Sequence, residues 1–244
     1  MDLVSRGESR ALLISATGTG KTYASAFALR QMDPGKILFL VHREQIARQA
    51  RDAYRKVFGK GRSSGILSGS SREKTVDMVF ATVQTMGRDD VLTGFARDEF
   101  DVIVIDEVHR AGAGTHRKIM EDFRPRLYLG MTASPERTDG FDIFGMFHHN
   151  IAYEIRLRQA LEEDLLCPFH YFGITELEIG GEVFDDETGI RNFNRLVADE
   201  RVDRIIKKAG YYGWSGDRVK GLVFCSSRQQ GADLSAQFNS RGIR

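Results

Sequence analysis

The stretch "LLISATGTGKTYASAFALRQM", Leu12 to Met32, falls into three pieces. Leu12 to Ile14 is a short aliphatic run, the pattern of a buried strand. A loop of small residues follows from Ser15 to Gly20. Lys21 then opens an alanine-rich segment with the composition of a helix. Gly18 and Gly20 let the backbone curl until several N–H groups converge on one point. The first turn of the helix aims its own unpaired N–H groups at the same point. Strand, loop and helix together form a cradle for a phosphate-type anion.

The side chains at the end of the loop suit a nucleoside triphosphate. Thr17, Gly18, Thr19, Gly20, Lys21 and Thr22 are the expected nucleotide-binding residues. Lys21 is placed to reach the β- and γ-phosphates and to help catalysis through its charge, and the Thr22 hydroxyl to ligate Mg²⁺. The strict loop pattern begins with glycine; Ser15 stands there instead, and it is small.

A second motif has the same logic. "FDVIVIDEVHRAG" (100–112) carries four aliphatic residues and then Asp106 and Glu107. A buried strand delivers two carboxylates at its carboxyl end. Asp106 suits Mg²⁺ binding, and Glu107 suits removal of a proton from an attacking water. Alone, such a pair is usually a solvated strand end. Its weight comes from the phosphate loop in the same chain.

Further strand-like runs lie at 11–16, 36–41, 76–81, 101–106 and 126–133, and "REQIARQARDAYRKVF" (43–58) has helical spacing. Strands alternating with helices imply an α/β fold with a parallel sheet flanked by helices. Ligands in such sheets bind at the carboxyl ends of the strands, where each motif falls. Beyond residue 152 the pattern predicts a helix over 153–166, an extended stretch over 170–184 turning at Gly180-Gly181, a helix over 192–213, a strand over 219–225 and a helix over 227–242 ending at Gly242. Arg48, Arg51, Arg55 and Arg62 are spaced as one helical face and read best as a solvated one. His148-His149 lacks a companion at ligand spacing, and Phe144 and Phe147 read as core.

The 244 residues and 41% hydrophobic content suit one large or two smaller globular domains. No run is long and apolar enough to span a bilayer, and the N-terminus lacks a secretory pattern. Two distant cysteines, Cys167 and Cys225, make neither a disulfide framework nor a zinc site, so the expected setting is the cytoplasm. A net charge of +1 neither supports nor excludes a nucleic-acid partner, because such footprints are local.

Taken in order, the motifs resemble those of superfamily 2 helicases and translocases of the DExH type. "SATGTGKT" (15–22) is similar to motif I, "LVHREQI" (40–46) to motif Ia and "ATVQTM" (81–86) to motif Ic. "DEVH" (106–109) is similar to motif II, "TASPERTD" (132–139) to motif III and "LVFCSSR" (222–228) to motif IV. The branch they most resemble is the restriction-subunit type, with type I and type III restriction translocases. The resemblance implies two RecA-like domains with Mg·ATP in the cleft between them. On this chain they are 1–152, carrying motifs I to III, and 153–244, the start of the second, with motif IV. It also implies that His109 and Thr132 couple nucleotide state to the nucleic-acid side, and that Arg43, Thr82 and Gln84 lie in motifs touching the sugar–phosphate backbone. Thr82 also suits a strand-end cap, and His109 a satisfied surface histidine. Motifs V and VI, with the family's arginine finger, do not occur in these residues, so the chain alone is expected to turn ATP over slowly. The implied partners are nucleic acid, with DNA ahead of RNA, and the remainder of the second RecA-like domain. An RNA helicase and a non-translocating ATP-gated interaction module stay open as alternatives.

Overall fold

The computed structural model describes residues 2–110, 114–136, 141–172, 177–179, 182–184, 199–214 and 216–243. A short helix α1 (Asp2–Ser5) precedes β1 (Arg10–Ser15), α2 (Lys21–Met32), β2 (Ile37–Val41) and α3 (Glu44–Phe58). Next come β3 (Ser64–Leu67), β4 (Met78–Thr82), α4 (Val83–Met86), α5 (Asp89–Leu92) and β5 (Val102–Ile105). A 3₁₀ turn (Val108–Arg110), α6 (Gly114–Asp122), β6 (Leu127–Thr132), α7 (Ile143–Met146), β7 (Ile151–Ile155) and α8 (Leu157–Glu162) follow.

The seven strands make one sheet in the order β3-β4-β2-β5-β6-β1-β7, with every pairing parallel. Its interior strands are apolar throughout because both faces are covered. The two-residue period of a strand divides them cleanly. Leu12, Ile14, Leu38, Leu40, Ile103 and Ile105 join one core with Phe100, Phe123 and Phe147. Ala11, Leu13, Ile37, Phe39, Val102 and Val104 join the other, under Ala26 and Leu29 of α2 and Ala47, Ala50, Tyr54 and Val57 of α3. Gly130 in β6 is needed for close packing: a Cβ there would lie 2.6 Å from Phe147 Cζ and 2.9 Å from Leu12 Cδ2.

The chain divides into two compact units, residues 1–168 and 169–244. The boundary expected at 152 falls inside β7, which pairs with β1. The expected helix over 153–166 is therefore corrected: the segment begins as strand and only Leu157–Glu162 is helical. β7 is an edge strand with four exposed residues before Ile155, so its sequence lacks a buried-strand pattern. β3 also escaped sequence reading, being four residues long and led by Ser-Gly. Arg62 lies beyond the end of α3 and bonds to the carbonyls of Pro34 and Gly35, so it does not share the helical face of Arg48, Arg51 and Arg55. Phe147 is fully buried, and Phe144 packs against the same core, as expected.

In the second unit β8 (Leu177–Ile179) and β9 (Glu182–Phe184) pair antiparallel, while Gly180 and Gly181 between them lie outside the described residues. α9 (Asp199–Tyr212) and α10 (Arg228–Ser240) are the two helices expected; residues 192–198 lie outside the described residues. Ser227 caps α10 by accepting the Gln230 N–H, and Gly242 takes φ 79° just past its end. The strand expected over 219–225 is not formed: Leu222, Val223 and Phe224 are exposed, with no described strand beside them to share a ladder.

Candidate nucleotide site and coupling residues

The sheet brings the motif-bearing strand ends side by side. β1 ends at the glycine loop, β6 at Thr132, β5 at the Asp106-Glu107 pair, β2 before Arg43 and β4 at Thr82, and these five strands are neighbours in the sheet. Ligands enter open α/β sheets at this edge.

Gly18 and Gly20 hold φ angles of 91° and 86°, left-handed values that favour glycine, and α2 begins at the next residue, Lys21. Thr19 donates from Oγ1 to Ala16 O at 2.6 Å and shares a 2.5 Å hydrogen bond with Ser15 Oγ. This explains how serine serves where the pattern has glycine: its hydroxyl ties the loop across its base. Lys21 Nζ donates to Ser15 O at 3.0 Å and Ala16 O at 3.5 Å, so the ammonium is drawn back over the loop. Thr17 and Gly20 are exposed, and Thr22 is half-buried in the first turn of α2.

Asp106 is largely buried, and its Oδ1 accepts the Glu107 N–H at 3.0 Å. Burial raises its pKa to about 6; the adjacent Glu107 charge adds to the rise, and Lys21 pulls it partly back. Glu107 has φ 51°, a left-handed conformation that costs a non-glycine residue about 1–2 kcal/mol. His109 Nδ1 lies 3.1 Å from Glu107 Oε2 and 3.0 Å from Thr132 Oγ1. Thr132 Oγ1 also accepts the Ser134 N–H at 3.2 Å. Glu107, His109, Thr132 and Ser134 thus form a continuous polar chain joining the end of β5 to the loop after β6. Of the 132–139 stretch, residues 137–139 lie outside the described residues.

The three residues expected at a nucleic acid differ in availability. Arg43 is exposed at the N-cap of α3, and Gln84 is exposed in α4. Thr82 is buried: its hydroxyl donates to Thr85 Oγ1 at 2.8 Å and caps α4. Thr82 therefore fixes the start of the short helix that presents Gln84.

Sequence reading missed the backing of the phosphate loop. Ala16 packs with Ile155, Ala160 and Leu166, and a Cβ on Gly18 would lie 3.1 Å from Leu166 Cδ2. Arg156, just after β7, pairs with both Glu154 and Glu136, which ties the 132–136 stretch to β7. The signal was faint, because the contacts of Ala16 and Gly18 join residues more than a hundred positions apart.

The sheet order, the glycine loop at the end of β1 and the paired carboxylates at the end of β5, with β6 between them, are those of a RecA-like domain of the superfamily 2 helicase type, in its restriction-subunit branch. The model of the family described as type III restriction enzyme, res subunit, matches residues 1–137, and the chain belongs to that family. The chain is 29% identical over 257 residues to the type I restriction enzyme EcoAI endonuclease subunit of Escherichia coli, covering 93% of this chain and 31% of that protein. Its fold is similar to a fragment structure from Vibrio vulnificus YJ016 assigned to the HsdR subunit of a type I restriction enzyme. That match has a TM-score of 0.62 and 23% identity, over 98% of this chain and 43% of that one. The Pyrococcus furiosus Hef helicase domain is also similar, with a TM-score of 0.55 at 18% identity over 99% of this chain and 52% of that one. The chain spans about a third of the length of the E. coli relative. No described helix is long and apolar enough to cross a membrane.

Proposed function

We propose that the chain binds Mg·ATP at the β1–α2 loop and uses its hydrolysis to move along DNA, as part of a restriction or defence translocase. The chief support is the polar chain from Glu107 through His109 to Thr132. It leads from the carboxylate suited to hydrolysis to the next strand end, and so offers a route by which nucleotide state reaches the nucleic-acid side. In this reading the second unit, from residue 169 on, begins a second RecA-like domain, its motif IV lying in the 222–228 segment. The exposed Arg43 and Gln84, on neighbouring strand ends, suit contacts to the sugar–phosphate backbone, which carry no base preference.

In this reading Lys21 exchanges its carbonyl partners Ser15 and Ala16 for the β- and γ-phosphates. Thr17 to Gly20 wrap the phosphates with backbone N–H groups. Glu107 accepts a proton from the attacking water on its carboxylate, while His109 fixes that carboxylate from one side. The site suits a divalent cation, because the half-buried Asp106 carboxylate lies beside a second carboxylate with only part of its charge offset by Lys21. Thr22 and Asp106 would hold Mg²⁺, which would supply positive charge against the transferring phosphoryl group.

Steady-state phosphate release with and without single-stranded DNA, duplex DNA and RNA tests the proposal. Greatest stimulation by DNA is the expected result. Stimulation by RNA alone would make the chain an RNA helicase. ATP binding with no stimulation by any polymer would leave a non-translocating module.

A further inference from the structure

We propose that the second unit carries a base-stacking platform for single-stranded nucleic acid, formed by the 170–172 segment and the C-terminal half of α9. The Phe172 and Tyr212 rings lie 4.0 Å apart at 22°, and His170 stacks on Phe172 at 6.3 Å and 29°. Tyr211 meets Tyr212 edge-on at 5.1 Å, and the Lys208 ammonium lies 6.0 Å over the Tyr211 ring. These rings are not interior: Tyr211 is 79% exposed, Trp214 52% and Phe172 49%. His170, Phe172, Tyr212 and Trp214 line one groove together with Lys208, and Tyr211 lies at its side.

The chemistry of the groove selects its occupant. A surface meant for a protein core would be rich in large aliphatic side chains, whereas this groove offers aromatic faces, with Ile205 and the small Ala209 as its aliphatic lining. Cations are interleaved with the rings. Lys207 and Lys208 sit one helical turn before Tyr211 and Tyr212, and exposed Arg218 and Lys220 follow Trp214, with Asp217 the acidic residue among them. Asp203, the acidic residue of α9 nearest these lysines, is engaged by Arg241. Stacked aromatic faces beside lysines match bases beside phosphates, and a duplex hides the base faces that such rings need. This surface differs in kind from Arg43 and Gln84, which suit backbone contacts only. It rests on the nucleic-acid reading above and adds to it a contact to the bases.

Trp214 is the only tryptophan of the chain, so its fluorescence reports on this groove alone. The chain is titrated with fluorescein-labelled oligodeoxythymidine while Trp214 emission and label anisotropy are followed together. Quenching should track the anisotropy rise. Tyr212→Ala should weaken binding about 10-fold, within the range for loss of one stacked base, while Tyr212→Phe should leave it unchanged. Lys208→Ala, a change on the helix surface, should weaken binding and lower its salt dependence. An anisotropy rise without quenching, with Tyr212→Ala neutral, would overturn the platform and leave the nucleic-acid reading intact. Equal quenching by an abasic deoxyribose-phosphate oligomer would also overturn it, since no base is there to stack. Absence of any binding would overturn the platform, and the reading beneath it would then stand or fall on polymer-stimulated ATP turnover.

Discussion

Asp106→Asn should make the nucleotide-free protein more stable. In the folded chain burial and Glu107 raise the Asp106 pKa from 3.8 to about 6. At 1.36 kcal/mol per pH unit that rise corresponds to about 3 kcal/mol held against the fold at neutral pH. Partial exposure screens the charge, which brings the expected gain to about 1–2 kcal/mol. The asparagine keeps the local bond, because its amide oxygen can accept the Glu107 N–H as Asp106 Oδ1 does. For a chain of this size each kcal/mol shifts the midpoint by about 2–4 °C, so the expected rise is about 2–8 °C. The pH dependence fixes the sign. Between pH 6 and 3.8 the folded wild type binds a proton that the unfolded chain does not, so its stability grows as pH falls. The advantage of the variant should be full above pH 6 and gone near pH 4. Thermal unfolding by circular dichroism in EDTA at pH 7.5 and pH 4 measures both. Saturating Mg·ATP should then stabilise the wild type and not the variant. A variant that melts lower than wild type at pH 7.5, or a gap unchanged at pH 4, would refute the account of Asp106 as a buried charge awaiting a cation.

Other predictions concern neighbouring residues. Lys21→Ala should weaken Mg·ATP binding at least 10-fold by isothermal titration, because the ammonium at the loop is lost. Glu107→Gln should retain Mg·ATP binding and lower turnover by about 10²-fold or more, since an amide cannot take the proton of the water; equal loss of both in parallel binding and phosphate-release assays would mark Glu107 as structural. His116 is 1% exposed, neither ring nitrogen has a hydrogen-bond partner among the described residues, and its ring lies 5.2 Å from that of His42. Burial, with His42 adding to it, lowers its pKa from 6.5 to about 4. The stability of the neutral form is therefore whole above pH 6.5 and lost as pH falls toward 4, by up to about 3 kcal/mol. His116→Leu should flatten that acid slope, read as urea midpoints at pH 7 and pH 4.5 beside the wild type.

The core of the sheet was legible in the sequence because buried parallel strands are apolar on both faces. β1, β2, β4, β5 and β6 all announced themselves in that way. β7 did not, since four of its five residues face outward at a sheet edge. The 219–225 run shows the converse: it has strand composition, but a strand also needs a neighbour, and composition does not supply one. At the site, the phosphate loop and the carboxylate pair were legible because their chemistry is contiguous in the chain. Resemblance gave His109 and Thr132 a shared coupling role, but their contact was not legible, since 23 positions separate the two residues. The packing of Leu166 behind Gly18 left no local trace at all.

The left-handed backbone at Glu107 has a consequence for anyone who breeds this protein in the laboratory. Glycine prefers that conformation, and asparagine tolerates it better than most residues. Position 106 meanwhile favours an uncharged side chain in the nucleotide-free state. Two adjacent residues thus oppose the fold at the place where hydrolysis is proposed. A library ranked by heat resistance alone should accumulate Asp106→Asn and Glu107→Gly, and its hardiest members should be its poorest ATPases. Screens for robust versions of this domain therefore need a turnover assay beside the thermal one.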